Sequence, residues 1–300
     1  MPLCQCLIIV AMIHRDEYWP QAQEAAGYLA GQAMCPADVV LQCGSGLSTL
    51  PDILAPEGKR ISMDEMPHFP VATVTGHGKE AVYANIGGLR LLILNGRSHL
   101  YEGHDALRAG FPAALAKAVE AKLFIATNSA GALNQHFSTG SAMVHSDFIN
   151  HQGDNALLHM QVDDPSERFL DPKPAYALEA SSAMLDHLGE AGLDVHSGTY
   201  VAVRGPIFET TAELYMLRGF GADAIGMSTV PELTVCHFFK LPAIGVSVIA
   251  NECFDPAPVS HEQVLKICRS QAPKLAAGIK MFLEDKTWRE ALIGAAEATS

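Results

Sequence analysis

LRLLILNGRSHLYEGH, residues 89–104, opens as one of the most apolar runs of the chain and then sets an arginine and a histidine two residues apart. A mostly apolar run that ends in a Gly-containing polar cluster is the pattern of a buried strand surfacing at its carboxyl end. The same passage recurs five more times. ADVVLQC (37–43) runs into GSGLS, KLFIAT (122–127) into NSAGALN, and TYVAV (199–203) into RGPIFET. ADAIGM (222–227) runs into STVPE, and IGVSVI (244–249) into ANECF. Between these runs, apolar spacing of period 3.6 predicts helices at about 16–32, 105–121, 174–191, 211–218, 231–240 and 261–284. The alternation predicts an α/β fold with a mainly buried sheet. Ligands of open α/β sheets lie beyond the carboxyl ends of the strands, so the six clusters are expected to converge on one site.

Composition narrows the function classes. The 33 acidic against 20 basic residues, net charge −13, argue against a nucleic-acid surface, which needs clustered positive charge. No nucleic-acid or membrane partner is expected. Leu7 to Ile13 is apolar but has no basic flank and is far too short to span a bilayer, so it reads as a short strand or a packed N-terminal segment. Seven cysteines without CxxC spacing, and no N-x-S/T sequon, predict a reduced, cytoplasmic chain. No internal repeat or long linker interrupts residues 1–300, which predicts a single domain with its core at about 37–284.

Two helix starts carry capping boxes, Thr210 with Glu213 and Ser260 with Gln263, and Gly219 and Gly221 close the first of these helices. CGSGLST (43–49) lacks the third glycine of a dinucleotide fingerprint, the Gly-Lys of a P-loop and the G-x-S-x-G of a nucleophile elbow. It remains either an ordinary strand-ending turn or a Gly-Ser-Gly cradle whose N–H groups and Ser45 hydroxyl hold an anion. Arg97 offers a planar fork suited to two phosphate oxygens, and His99 projects to the same side of an extended segment. Alone, a strand-end Arg and His are more often a surface ion pair and a satisfied polar residue; beside GSG, NSAGALN and MST, phosphate is the better reading. Glu209 sits just before an expected helix start, and Asn251 ends the last apolar strand, so both are expected to turn their polar ends into a cleft. A carboxylate that accepts and an amide that both donates and accepts suit the edge of a heterocyclic base, against the alternatives of helix-dipole charge and turn former. Thirteen histidines form no HExxH and no ligand triad, so no metal is expected. Cys43 and Cys253 fit packing better than a thiol nucleophile.

With these motifs in order, the chain resembles the trimeric purine nucleoside phosphorylases, the group that also contains methylthioadenosine phosphorylase. The matching stretches are CGSGLS, FPVATVTGHG, NGRSHLYEGH, ATNSAGALN, GTYVAVRGPIFETTAELYMLRGFGADAIGMSTVPE, VIAN and SHEQVL, spanning about residues 37–284. The resemblance implies a phosphorylase/hydrolase-like α/β domain with a mixed, partly barrel-like sheet surrounded by helices, assembled as a homotrimer. It implies purine salvage in the cytoplasm by reversible phosphorolysis, with inorganic phosphate as co-substrate and neither metal nor organic cofactor. Carried over by motif, Ser45, His77, Arg97, His99, Ser129, Ala130 and Ser228 correspond to the phosphate site. Tyr101, Met227 and His261 correspond to the ribose contacts, and Phe208, Glu209 and Asn251 to the base contacts. Asn251, Glu209 and His99 are the expected catalytic residues. The Glu/Asn pair implies 6-oxopurines such as those of inosine and guanosine.

Several positions depart from the family pattern. Ala250 stands where threonine is common, Glu252 where lysine is frequent, and Ser129 where alanine is common. LHMQVDDPSERFLDPKPAY (158–176) diverges from the region that delivers an aromatic to the neighbouring sugar site, leaving Phe169 and Tyr176 as candidates. The enlarged pocket at Ala250 predicts looser base selection, which keeps a broad-specificity or methylthioadenosine-like phosphorylase open as an alternative, beside a non-catalytic nucleoside binder.

Overall fold

The computed structural model describes residues 12–70 and 79–290. In chain order these form β1 (Ile13–His14), α1 (Arg15–Gly31), β2 (Val39–Cys43), α2 (Leu50–Leu54), β3 (Lys59–Ser62), β4 (Glu80–Ile86), β5 (Leu89–Asn95), α3 (Ala106–Ala109), α4 (Phe111–Ala118) and β6 (Leu123–Ala132). There follow β7 (Ala142–His151), β8 (Met160–Gln161), α5 (Leu178–Glu190), β9 (Val195–Val203), α6 (Thr211–Gly219), β10 (Ala224–Gly226), α7 (Val230–Phe238), β11 (Ala243–Glu252) and α8 (His261–Glu284). All six apolar runs are strands: β2, β5, β6, β9, β10 and β11.

Nine strands form one mixed sheet in the order β10-β9-β7-β11-β6-β2-β5-β4-β3. Strands β5, β2, β6 and β11 are parallel neighbours, and β7 joins β11 antiparallel. The sheet then curls back on itself. β10, parallel to β9, also pairs antiparallel with β6 through Ala224–Ala132 and Ile225–Gly131, so β6, β11, β7, β9 and β10 close into a barrel.

Side chains of the central strands alternate between two cores, as the two-residue strand period requires. Val39, Leu41, Leu91, Ile93, Leu123 and Ile125 share one cluster with α2, α5 and α8. Val40, Leu92, Leu94, Phe124 and Ala126 share the other with α1, α4 and α7. Burial on both faces explains why these strands read as continuous apolar runs. A third cluster, with Met143, Tyr200, Ala202, Ala224 and Ile249, joins strands of the closed barrel.

Both capping boxes form. Glu213 N–H donates to Thr210 Oγ1 at 3.3 Å while Thr210 N–H donates to Glu213 Oε2 at 2.7 Å, and Ser260 and Gln263 exchange bonds of 3.2 Å. Other expectations need correction. The helix expected at 105–121 is divided at Gly110, where Pro112, lacking an N–H, sits in the opening turn of α4. The helix expected from 174 begins only at Leu178, after a cis Lys173–Pro174 bond. Of the Leu7–Ile13 stretch only Met12 and Ile13 lie within the described residues; Ile13 pairs with Met160 in β1.

Candidate active site

The carboxyl ends of the six runs meet around one cavity of about 420 Å³. Ser45 enters from the turn after β2, His99 and Tyr101 from the segment after β5, and Ser129 and Ala130 from the end of β6. Phe208 and Glu209 follow β9, Met227 and Ser228 follow β10, Asn251 lies near the end of β11, and His261 opens α8. Eleven of the thirteen candidate residues therefore line a single space. His77 lies outside the described residues, and Arg97 stands behind the wall.

The Gly-Ser-Gly turn is dictated by close packing. A Cβ on Gly44 would lie 2.5 Å from the Thr127 carbonyl oxygen and 2.8 Å from Asn128 Cα, so only glycine lets the turn lie against β6. Gly46 takes φ +76°, in the left-handed region, and a Cβ there would lie 2.7 Å from Cys268 of α8. Ser45 is thereby held between β6 and α8, facing the cavity.

Arg97 is almost wholly buried, with 1% of its side chain exposed. Its Nε donates to Glu232 Oε1 at 2.6 Å, and its Nη1 donates to the Thr127 carbonyl at 2.8 Å and to Ser228 Oγ at 3.4 Å. The Nη2 amino group is buried with no hydrogen-bond partner among the described residues. A buried donor left unpaired costs about 1–3 kcal/mol. The guanidinium is thus oriented by two fixed acceptors and keeps one amino group for a further acceptor.

His99 is held by Glu102, whose Oε1 accepts from the backbone N–H and faces Nδ1, both at 2.9 Å. Burial lowers the His99 pKa, with Glu102 acting in the opposite direction, so the neutral imidazole is favoured. With Glu102 accepting from Nδ1–H, the ring lone pair falls on Nε2. Tyr101 stacks on this imidazole, 4.6 Å between centroids.

At the other end, burial raises the Glu209 pKa, and neighbouring Glu213 adds to the rise. Cys253 lines the cavity beside Asn251, whose Nδ2 reaches its Sγ at 3.8 Å. Burial, then the charge of Glu209, pushes the Cys253 thiol up to about 12, and burial does the same for Cys43, so neither is a thiolate nucleophile. Ala250 lines the cavity and is 5% exposed, whereas Glu252 is exposed and accepts from Thr139 N–H at 3.3 Å. Of the two aromatic candidates in 158–176, Tyr176 is excluded: it is buried in the core with its hydroxyl on His145, while Phe169 is 86% exposed.

The phosphorylase superfamily model matches residues 38–284. The chain belongs to the phosphorylase superfamily. Purine nucleoside phosphorylase 1 of Geobacillus stearothermophilus is 35% identical to it over 246 residues, covering 81% of this chain and 89% of the relative. Schistosoma mansoni isoform 2 of purine nucleoside phosphorylase, in complex with cytosine and ribose-1-phosphate, is similar with TM-score 0.80 and 30% identity, covering 88% and 96% of the two chains. A Schistosoma mansoni purine nucleoside phosphorylase in complex with adenosine gives TM-score 0.79 and 25% identity, covering 89% and 97%.

Several residues that shape this phosphorylase's cavity were not legible beforehand. Glu232 was visible only as the single charge in the otherwise apolar VPELTVCHF of α7, and nothing in the sequence pairs it with Arg97, 135 residues away. Glu102, Asn128 and Thr229 act from behind or beside the expected residues and carry no local signature. One surface group, His14, Asp16 and Asp163, brings three candidate metal ligands within 4.8 Å of one another, but two of the three are exposed and none lines the cavity.

Proposed function

We propose that this superfamily member catalyses phosphorolysis of purine nucleosides, with phosphate at the Ser45–Arg97–His99–Ser228 end of the cavity and a 6-oxopurine at the Phe208–Glu209–Asn251 end. The observation that carries the reading is the Arg97 guanidinium, locked by Glu232 and the Thr127 carbonyl with one buried amino group still to be satisfied. A dianion supplies the missing acceptor through a charge-assisted bond. His77 is assigned to the same phosphate, and Ser129 and Ala130 offer the β6 backbone to it. Tyr101, Met227 and His261 are assigned to the ribose between the two ends.

Breaking the N-glycosidic bond builds positive charge on the sugar and negative charge on the departing base, and rate is gained by stabilising both in the transition state. Phosphate answers the sugar and then bonds to its anomeric carbon as the base departs. Asn251 hydrogen-bonds N7 and O6 of the base, and Glu209 accepts from N1–H. No metal or organic cofactor enters this scheme, and the setting is cytoplasmic purine salvage. One domain carries the phosphate and base ends of the cavity.

A second reading, relaxed base selection, rests on Ala250. A small apolar residue beside Asn251 widens the base end, and solved relatives hold adenosine and cytosine as bound species. Release of free base from inosine, guanosine, adenosine, methylthioadenosine, cytidine and uridine, with and without phosphate, tests both. Phosphate-dependent cleavage of inosine and guanosine alone supports the first. Turnover of adenosine or a pyrimidine that Ala250→Thr suppresses supports the second, and no turnover with phosphate leaves a non-catalytic binder.

We also assign the exposed Phe169 to the sugar end of a neighbouring subunit in a homotrimer. Sedimentation equilibrium is then expected to return three times the 32.1 kDa chain mass. Phe169→Ala is expected to raise KM for nucleoside while leaving that mass unchanged; a monomer with full activity would refute the assignment.

A further inference from the structure

Behind the cavity wall a line of buried hydrogen bonds crosses the barrel. Tyr176 Oη lies 2.9 Å from His145 Nδ1, His145 Nε2 lies 2.7 Å from Ser247 Oγ, and Ser247 Oγ lies 2.6 Å from Asn128 Oδ1. Asn128 Nδ2 continues to Thr229 Oγ1 at 2.8 Å, and Thr229 Oγ1 to Ser228 Oγ at 3.4 Å. None of these side chains belongs to a residue more than 8% exposed.

The protons along this line can be followed because each hydroxyl has only one to give. Ser247 gives its proton to Asn128, so it accepts from His145 Nε2–H, and His145 Nδ1 accepts from Tyr176. Asn128 then donates to Thr229, whose hydroxyl lies 3.4 Å from that of Ser228, with either able to donate. Ser228 Oγ also accepts from Arg97 Nη1, so with Thr229 as the donor of the last contact the Ser228 proton is left for the cavity. Burial depresses the His145 pKa to about 3, in keeping with a neutral ring at the centre of the line.

A second path joins the same two ends. The His145 ring lies flat on Tyr200, 4.7 Å between centroids and 9° between planes, and Tyr200 Oη accepts from Ser228 N–H at 3.3 Å. Any Cβ at Gly245 would collide with the His145 ring, and any at Gly226 with the Tyr200 hydroxyl, so both strands are built around this stack. The turn it supports is strained. Thr229, β-branched, has φ +72°, a conformation that costs about 1–3 kcal/mol and persists only where its surroundings impose it.

We propose that His145 is a positioning residue for phosphate: through Ser247 and Asn128, and through Tyr200, it holds the Ser228–Thr229 turn so that the Ser228 hydroxyl donates to the bound anion. This inference rests on Ser228 being a phosphate ligand, and the test separates the two. Steady-state kinetics are measured with phosphate varied at saturating inosine and the reverse, beside thermal unfolding, for Ser228→Ala, Ser247→Ala, His145→Leu and His145→Gln. Ser247→Ala deletes one hydroxyl, cuts the line in its middle and is the mildest change to the core. Expected is a rise in KM for phosphate of about ten-fold, the scale of one buried hydrogen bond, for Ser228→Ala, Ser247→Ala and His145→Leu. KM for inosine stays unchanged. His145→Gln, which keeps an N–H near the Nε2 position, is expected to restore most of the phosphate affinity even where its Tm is lowered. If Ser228→Ala raises KM for phosphate but Ser247→Ala and His145→Leu lower only Tm, the network is structural and the proposal is overturned. If Ser228→Ala leaves KM for phosphate unchanged, the phosphate assignment itself fails, and the inference with it.

Discussion

Glu232→Ala is expected to lower the unfolding free energy by about 3–5 kcal/mol, the penalty for leaving one partner of a buried ion pair uncompensated. Glu232 and Arg97 are each at most 2% exposed at the side chain and 2.6 Å apart, so bulk water does not screen the charge that is left behind. The same change frees Arg97 Nε and lets the guanidinium rotate away from Ser228, so KM for phosphate is expected to rise by about ten-fold or more, the worth of a charge-assisted bond. Urea unfolding and phosphate-dependent kinetics read the two effects. Phosphate added during unfolding is expected to recover part of the lost stability, because it binds only the native state and supplies a counter-charge. Removing both charges at once, Arg97→Met with Glu232→Leu, is expected to be less destabilising than Glu232→Ala and yet to abolish phosphate saturation. If both variants kept wild-type KM for phosphate, Arg97 would have no part in binding the anion.

The second large effect falls at the opposite end of the cavity. Asn251→Ala is expected to reduce kcat/KM for inosine by about 10²–10³, the loss typical of removing one donor aimed at charge that develops in the transition state. Because the purine bears that charge only as the bond breaks, the loss should appear in kcat rather than in KM. Glu209 supplies the pH signature. It must be ionised to accept from N1–H, and burial raises its pKa, so activity is lost on acidification at a higher pH than an unperturbed glutamate would give. Glu209→Gln is expected to remove that acid limb from the kcat/KM profile while lowering its plateau. A profile unchanged in Glu209→Gln would take the carboxylate out of base recognition.

What could be read from the chain alone was the part written in local periodicity and strand-end chemistry. The two-faced burial of β2, β5, β6 and β11 leaves long apolar runs, and the polar clusters behind them mark where the sheet meets the cavity. β7 escaped because its ten residues, AMVHSDFINH, are buried only over the first four and then pass to exposed and partly exposed positions without a regular alternation. β3 and β4 escaped because both carry exposed residues on a peripheral antiparallel arm. The site was legible where a residue reaches the cavity from the end of its own strand, as with Ser45 and Asn251. It was illegible where a residue acts through another from a distant strand. Tyr176 shows the difference: an aromatic in the right segment of sequence is committed, through His145, to the core.

Closure of the sheet through β10 also bears on how this chain behaves when concentrated. An open sheet offers two strands with unpaired N–H and C=O groups, each a template for another molecule to extend. Here β10 spends both sides, on β9 and on β6, so one of the two edges is gone. Among the described residues the edge that remains to the nine-stranded sheet is β3, four residues long, opening on Lys59 and on Arg60, which is paired to Asp52 and Glu80. A short, charged terminus of this kind is poorly suited to strand-on-strand growth, and resistance to aggregation is thereby a by-product of the same pairing that brings Ser228 to the cavity.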